Sequence, residues 1–196
     1  MSDDVEMHVV ATGNGVAHAH ALLLAGIYGA LMVPALVSGE LAASVLWASG
    51  LLGAVLVLLS VIDESRLRLP DVLTVPLLLA GLVLVWINGW DDPAMRAIAA
   101  VIGGSALAAV AWIYRRVRGQ DGLGLGDAKL YAASGAWVGF EGLTIVLLTA
   151  FLSALLFVSA AAVTGQKTYD RKSAIPFGPF LALGTWIVWL YGPLAW

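Results

Sequence analysis

Seven stretches of this chain are so uniformly apolar that they constrain the fold before any single residue is considered. They cover residues 17–37, 41–62, 72–87, 97–114, 130–140, 143–163 and 175–191. A helix that crosses a bilayer needs about 20 mostly apolar residues. The chain is 61% hydrophobic and 12% charged, with a mean hydropathy of +0.93; soluble domains average roughly 45–50% apolar and about 25% charged. The expected fold is therefore an all-α, polytopic integral membrane helical bundle of about seven spans. Residues 17–196 are expected to form one membrane-embedded domain, with residues 1–16 a short cytoplasmic tail. The spans leave no room for a separate soluble domain of ordinary size. A net charge of −3 carries no nucleic-acid signature, and the absence of Cys excludes disulfides, thiolate metal sites and cysteine nucleophiles. Asp3, Asp4 and Glu6 stand where a signal peptide would carry basic residues.

Orientation follows from the basic residues. Nine of the ten Lys and Arg fall in the segments around Arg66–Arg68, Arg115–Lys129 and Lys167–Lys172, and only Arg96 falls in an opposite loop. The positive-inside rule places those three loops in the cytoplasm, with the N-terminus inside and the C-terminus outside. Trp86, Trp90, Trp137, Trp189 and Trp196 then sit near the outer ends, where an aromatic belt is expected.

Within that frame one short motif stands out: Gly124-Leu125-Gly126-Asp127-Ala128-Lys129, a G-x-G-D-x-K that leads into the fifth apolar run. The 14 residues from Asp127 to Glu141 span about 21 Å of helix, against a hydrocarbon core of about 30 Å. With Glu141 at the outer edge, Asp127 lies roughly 9 Å inside the inner edge. A carboxylate near a bilayer centre costs about 2.5–3.5 kcal/mol on insertion scales, which makes an intramembrane Asp a functional candidate. Glycines beside it permit close approach of another backbone.

Asp63 ends the second run at the same predicted face. Two spans separate it from Asp127, and an even number returns the chain to that face, so two carboxylates 64 positions apart can meet at one depth. Such a pair is what an aspartic peptidase needs: one carboxylate as base on water, the other protonated to polarise the scissile carbonyl. The plainer alternative is two interfacial residues at separate helix ends.

At these residues the chain resembles the prepilin peptidases, the type IV leader peptidases of the G-x-G-D membrane aspartic peptidase family. Ile62-Asp63 followed after five residues by Leu69-Pro70-Asp71-Val72-Leu73-Thr74-Val75-Pro76 looks like their first active-site motif. Gly124–Lys129 matches the second motif, and Ala136-Trp137-Val138-Gly139 resembles the family's sequence a few residues downstream of it. Ile175-Pro176-Phe177-Gly178-Pro179-Phe180-Leu181-Ala182 resembles the last-span signature. The matched segments run in order from Ile62 to Ala182, a stretch of about three-fifths of the chain. The resemblance implies that Asp63 and Asp127 are the catalytic pair and that the substrates are type IV prepilins or type II secretion pseudopilins. It implies cleavage after a glycine that releases a short basic leader on the cytoplasmic side of the bacterial inner membrane. Many bacterial members carry an insert with paired C-x-x-C motifs associated with methylating the new N-terminus. This chain has no Cys, and only Ser38-Gly39-Glu40 separates its first two runs. It therefore reads as a short form with peptidase activity alone, needing no metal or other cofactor.

The remaining residues carry weaker assignments. Lys129 lies about 200° around a helix from Asp127, so it is expected to snorkel to the interface, where it could attract acidic substrate residues. Asp71 is expected to cap the third span and is the reserve candidate for the first catalytic role. His18 and His20 read as interfacial. Pro176, Gly178 and Pro179 start the seventh span as Pro-initiated helices do, or form a non-helical edge for a substrate's extended backbone. A different class of function, an ion- or proton-coupled transporter using Asp63 and Asp127, would place ionisable groups near the midplane and show repeats. No Asp, Glu, Lys or Arg occupies the middle of any run.

Overall fold

In a computed structural model, residues 2–37, 43–119, 124–163 and 176–192 are described, with side chains from residue 19 onward. These residues form six helices and, among those described, no strand: α1 (Ser2–Val37), α2 (Ala43–Arg66), α3 (Asp71–Asn88), α4 (Pro93–Arg118), α5 (Leu125–Val163) and α6 (Gly178–Tyr191). Five are long and apolar enough to cross a membrane, and α6 is a shorter apolar helix. This is a multi-pass membrane protein. The Lys167–Lys172 loop, Gly39, Glu40 and Trp196 lie outside the described residues.

The count of helices differs from the seven expected spans because the fifth and sixth belong to one element. At Gly139 the backbone leaves helical geometry, with φ 71° and ψ −175°. That left-handed φ favours a residue without Cβ. On either side of it the two arms run in opposite directions. In the first arm Gly135 packs on Ala100 and Gly139 on Arg96. In the second arm Gly142 meets Val188, Gly184 meets Val146, and Phe151 packs at a tilt against Phe177. Seven helical segments therefore alternate in direction. The break comes at Gly139, ahead of the Glu141-Gly142 boundary that the charge pattern suggests.

Small residues let the helices close up, as they must where lipid supplies no hydrophobic drive between helices. A Cβ on Gly135 would come within 2.9 Å of Ala100 backbone atoms, and one on Gly104 within 2.8 Å of the Ala132 Cβ. The core is Leu52, Leu56 and Leu59 of α2, Leu130 and Val146 of α5, and Leu181 of α6. Outward faces carry the large apolar side chains, including Leu22, Val72, Val101 and Leu155.

Two expectations about polar and aromatic residues change. Trp86 is exposed, but Trp137 and Trp189 are buried and pack edge to face at 5.1 Å. Their indole N–H groups donate to the Leu77 carbonyl and the Ser49 hydroxyl, each at 2.8 Å, so they join helices and do not form a belt. Arg96 is no loop charge: it is 4% exposed, donates to the Trp137 carbonyl and pairs with Asp91 at 2.7 Å. The break at Gly139 interrupts the helix ladder two residues after Trp137, and the guanidinium supplies a donor there.

Candidate active site

One end of the bundle gathers the C-terminus of α2 and the N-termini of α3, α5 and α6. There Asp63 and Asp127 are 5% and 7% exposed and close enough to interact electrostatically. Both lie inside helices: α2 runs a turn past Asp63 to Arg66, because the backbone ladder continues and Leu67 donates to the Asp63 carbonyl at 2.8 Å.

Asp127 is placed by the local chain. Gly124 precedes the helix, the Asp127 N–H donates to the Gly124 carbonyl at 3.1 Å, and the Gly124 N–H donates back to the Asp127 Oδ2 at 3.1 Å. The second bond is one half of a capping box, with the third helical residue reaching back to the N–H of the cap; glycine has no side chain to return the other half, and the first bond is an ordinary backbone turn. The second glycine serves a different contact. A Cβ on Gly126 would lie 3.0 Å from the Leu69 Cβ and 3.2 Å from its backbone nitrogen, so the first turn of α5 presses directly on the α2–α3 connection.

Asp63 is placed by a distant part of the chain. Its Oδ2 accepts the Gly178 N–H at 3.0 Å, across 115 positions of sequence. Gly178 opens α6 behind Phe177, with Pro179 next. The substrate-edge expectation for Pro176, Gly178 and Pro179 thus meets a specific fact: the Gly178 N–H is already engaged by Asp63. No sequence signal identifies that partner, although a glycine flanked by prolines at a helix start does mark a close approach.

Lys129 and Asp71 find each other, with Nζ and Oδ1 2.5 Å apart and both side chains exposed. Lys129 is thus engaged beside the site by Asp71 and not by Asp127. Pro70, not Asp71, is the cap of α3; Asp71 is the first helical residue, where its charge suits the helix dipole. His20 is exposed, and its Nδ1 lies 3.2 Å from the Oε2 of Glu64, next to Asp63. The side chain of His18 lies outside the described residues. Among the described residues, no group of three His, Cys, Asp or Glu is arranged to hold a metal ion.

Two buried carboxyl groups at one end of the bundle, each with an oxygen fixed by one backbone N–H, can take up a proton at one oxygen while delivering another. The same end of the bundle carries the residues of the first, second and last-span motifs. The profile of the Type IV leader peptidase family matches residues 50–159, more than half of the chain. A protein of Aeromonas salmonicida (strain A449) described as "Prepilin leader peptidase/N-methyltransferase" is 39% identical over 142 residues, 72% of this chain and 48% of that protein. One of Burkholderia pseudomallei (strain K96243) with the same description is 40% identical over 159 residues, 80% of this chain and 50% of its own. A third, from Dichelobacter nodosus, is 35% identical over 137 residues, 70% of this chain and 46% of its own. The chain spans about half the length of these curated relatives. No solved structure matches it.

Proposed function

The chain belongs to the type IV leader peptidase family, and from that premise we propose that it is an aspartic endopeptidase of the bacterial inner membrane whose catalytic pair is Asp63 and Asp127. Its substrates are type IV prepilins or type II secretion pseudopilins, and it removes their short basic leader on the cytoplasmic side. The observation that carries this reading is the meeting of two buried carboxyl groups from α2 and α5 at one end of the bundle. One carboxylate takes a proton from water as the water oxygen attacks the scissile carbonyl. The other, protonated, donates to the carbonyl oxygen, and a proton then passes to the leaving amine as the C–N bond breaks. The two groups titrate as a pair, so the pH–rate profile is bell-shaped, with both limbs belonging to the dyad.

The positive-inside arithmetic supports the cytoplasmic orientation, since Arg66, Arg115, Arg116 and Arg118 all cluster at the dyad's end of the bundle. Methyl transfer is assigned to none of these residues; the reading is of peptidase activity alone. The test is co-expression with a candidate prepilin, which should shift in mobility by the size of a leader. A shift that persists in Asp127→Asn would end the aspartic reading.

A further inference from the structure

We propose that Gly178 is a positioning residue for Asp63: its backbone N–H fixes the carboxyl group of the dyad's first member, and its missing side chain makes the contact possible. The inference rests on the catalytic pair proposed above.

Three observations on α6 converge. The Gly178 N–H donates to the Asp63 Oδ2 at 3.0 Å in a buried setting. The three atoms nearest a Cβ built on Gly178 all belong to Asp63: Oδ2 at 2.6 Å, Cγ at 3.0 Å and Cβ at 3.3 Å. A contact under 3.0 Å forces a shift, and here only the carboxyl group stands in the way. Third, the donors of this first turn are otherwise accounted for. Pro179 has no N–H, while Phe180 and Leu181 both donate to the Phe177 carbonyl at 3.1 Å. The first N–H groups of a helix lack intrahelical acceptors, and the one at Gly178 is met by Asp63.

The two carboxyl groups are thus held differently. Gly124 is three residues from Asp127, so its bond forms with the local turn. The bond to Asp63 forms only when α6 docks on α2, which it does through a line of further contacts: the Trp186 ring against Gly53 and the Trp189 indole on Ser49. The Gly178 N–H therefore acts through Asp63. The charged groups that act on the pair are Asp127 on α5 and Glu64 on α2, with His20 of α1 on Glu64; at the same end Asp71 of α3 is held by Lys129. Among the described residues α6 contributes no ionisable group other than Tyr191 at its far end.

The experiment is cleavage of a purified prepilin by the full chain in detergent, across pH, for Gly178→Ala and for Gly184→Ala. The second is an equally tight glycine, whose Cβ would lie 2.6 Å from the Val146 carbonyl oxygen, away from the dyad. Gly178→Ala is expected to lower kcat by about tenfold or more, the scale of one lost hydrogen bond to a charged group, with KM little changed. Losing a donor to a carboxylate disfavours its ionised form, so the acidic limb of the rate profile moves to higher pH. Gly184→Ala lowers stability and leaves both limbs in place. Amide hydrogen exchange keeps the proposal testable should Gly178→Ala fail to accumulate: exchange at Gly178 accelerates in Asp63→Ala and not in Asp127→Ala. Unmoved limbs in Gly178→Ala, or unchanged exchange at Gly178 in Asp63→Ala, would overturn the inference. An active Asp63→Asn would instead remove the catalytic pair on which it rests, while an inactive Asp63→Asn beside a normal Gly178→Ala would sink the positioning role alone.

Discussion

Replacing Arg96 with Met tests how the bundle tolerates a broken helix inside the membrane. Arg96 is 4% exposed and faces two acceptors, the Trp137 carbonyl at the break and the Asp91 carboxylate. The methionine keeps much of the apolar stem and removes both donors. Leaving a buried carbonyl without a partner costs about 1–3 kcal/mol. Breaking a fully buried ion pair from one side costs about 3–5 kcal/mol, but the Asp91 side chain is 38% exposed and recovers water. That contribution therefore falls to the scale of a surface pair, about 1 kcal/mol or less. The sum is about 1–4 kcal/mol, dominated by Trp137. Asp91→Asn spares the Trp137 contact and keeps an acceptor oxygen for the guanidinium, so it should cost less than Arg96→Met even though it leaves the buried Arg96 charge without its counter-charge. Equilibrium unfolding in mixed micelles measures both, and the activity per folded molecule should hold in each because the dyad lies at the other end. The pH dependence has a definite sign. Burial disfavours the Asp91 carboxylate, but the Arg96 hydrogen bond, the Asp92 N–H and the Arg96 charge outweigh it and hold Asp91 below its ordinary value of 3.8. Its contribution is then complete above that value and lost as pH falls through the lower folded-state value. If Asp91→Asn proved as damaging as Arg96→Met, or if Arg96→Met were neutral, the capping of the break by Arg96 would be wrong.

Other predictions concern backbone strain, product chemistry and topology. Leu67 ends α2 with φ 49° and an exposed side chain, a conformation that costs a non-glycine residue about 1–2 kcal/mol; Leu67→Gly should be neutral or stabilising in the same unfolding assay, and a loss above about 1 kcal/mol would contradict this. Mass spectrometry of the mature product, made in a host without other prepilin methylases, should find an unmethylated N-terminus; a methyl group there would show that methyl transfer occurs without any cysteine. Single cysteines at Arg116 and Arg171 should resist impermeant thiol reagents added from the periplasmic side, and labelling of either would reverse the orientation.

Much of the architecture is readable from the chain because lipid-facing helices have to be apolar along their length, and the parity of spans brings Asp63 and Asp127 to one end. Boundaries are less legible: the charges at Asp63 and Glu64 suggest an end to α2 that the backbone ladder ignores until Arg66. The break in α5 is expected at the Glu141-Gly142 boundary, but its position escapes notice because Gly139 is one of many glycines in apolar surroundings, and only its φ distinguishes it. Trp137 and Trp189 look like belt residues because an indole near a span end can face lipid or a neighbouring helix, and the choice depends on acceptors at Leu77 and Ser49 that sequence distance hides. The angular argument correctly turns Lys129 away from Asp127 but cannot reveal Asp71 as its partner. Asp127 carries its own cap within three residues and is legible locally. Asp63 depends on Gly178, which no local pattern announces.

The most direct measurement is the rate of prepilin cleavage by Asp63→Asn, Asp127→Asn and Asp71→Asn at matched levels in the membrane. An amide neither ionises nor carries the transferable proton, so both dyad variants should lose cleavage while inserting normally. Asp71→Asn loses only an exposed pair with Lys129, on the order of 0.2–1 kcal/mol, and should cleave at close to the parental rate. A dead Asp71→Asn beside an active Asp63→Asn would move the first catalytic role to Asp71, and cleavage surviving in Asp127→Asn would contradict the aspartic mechanism outright.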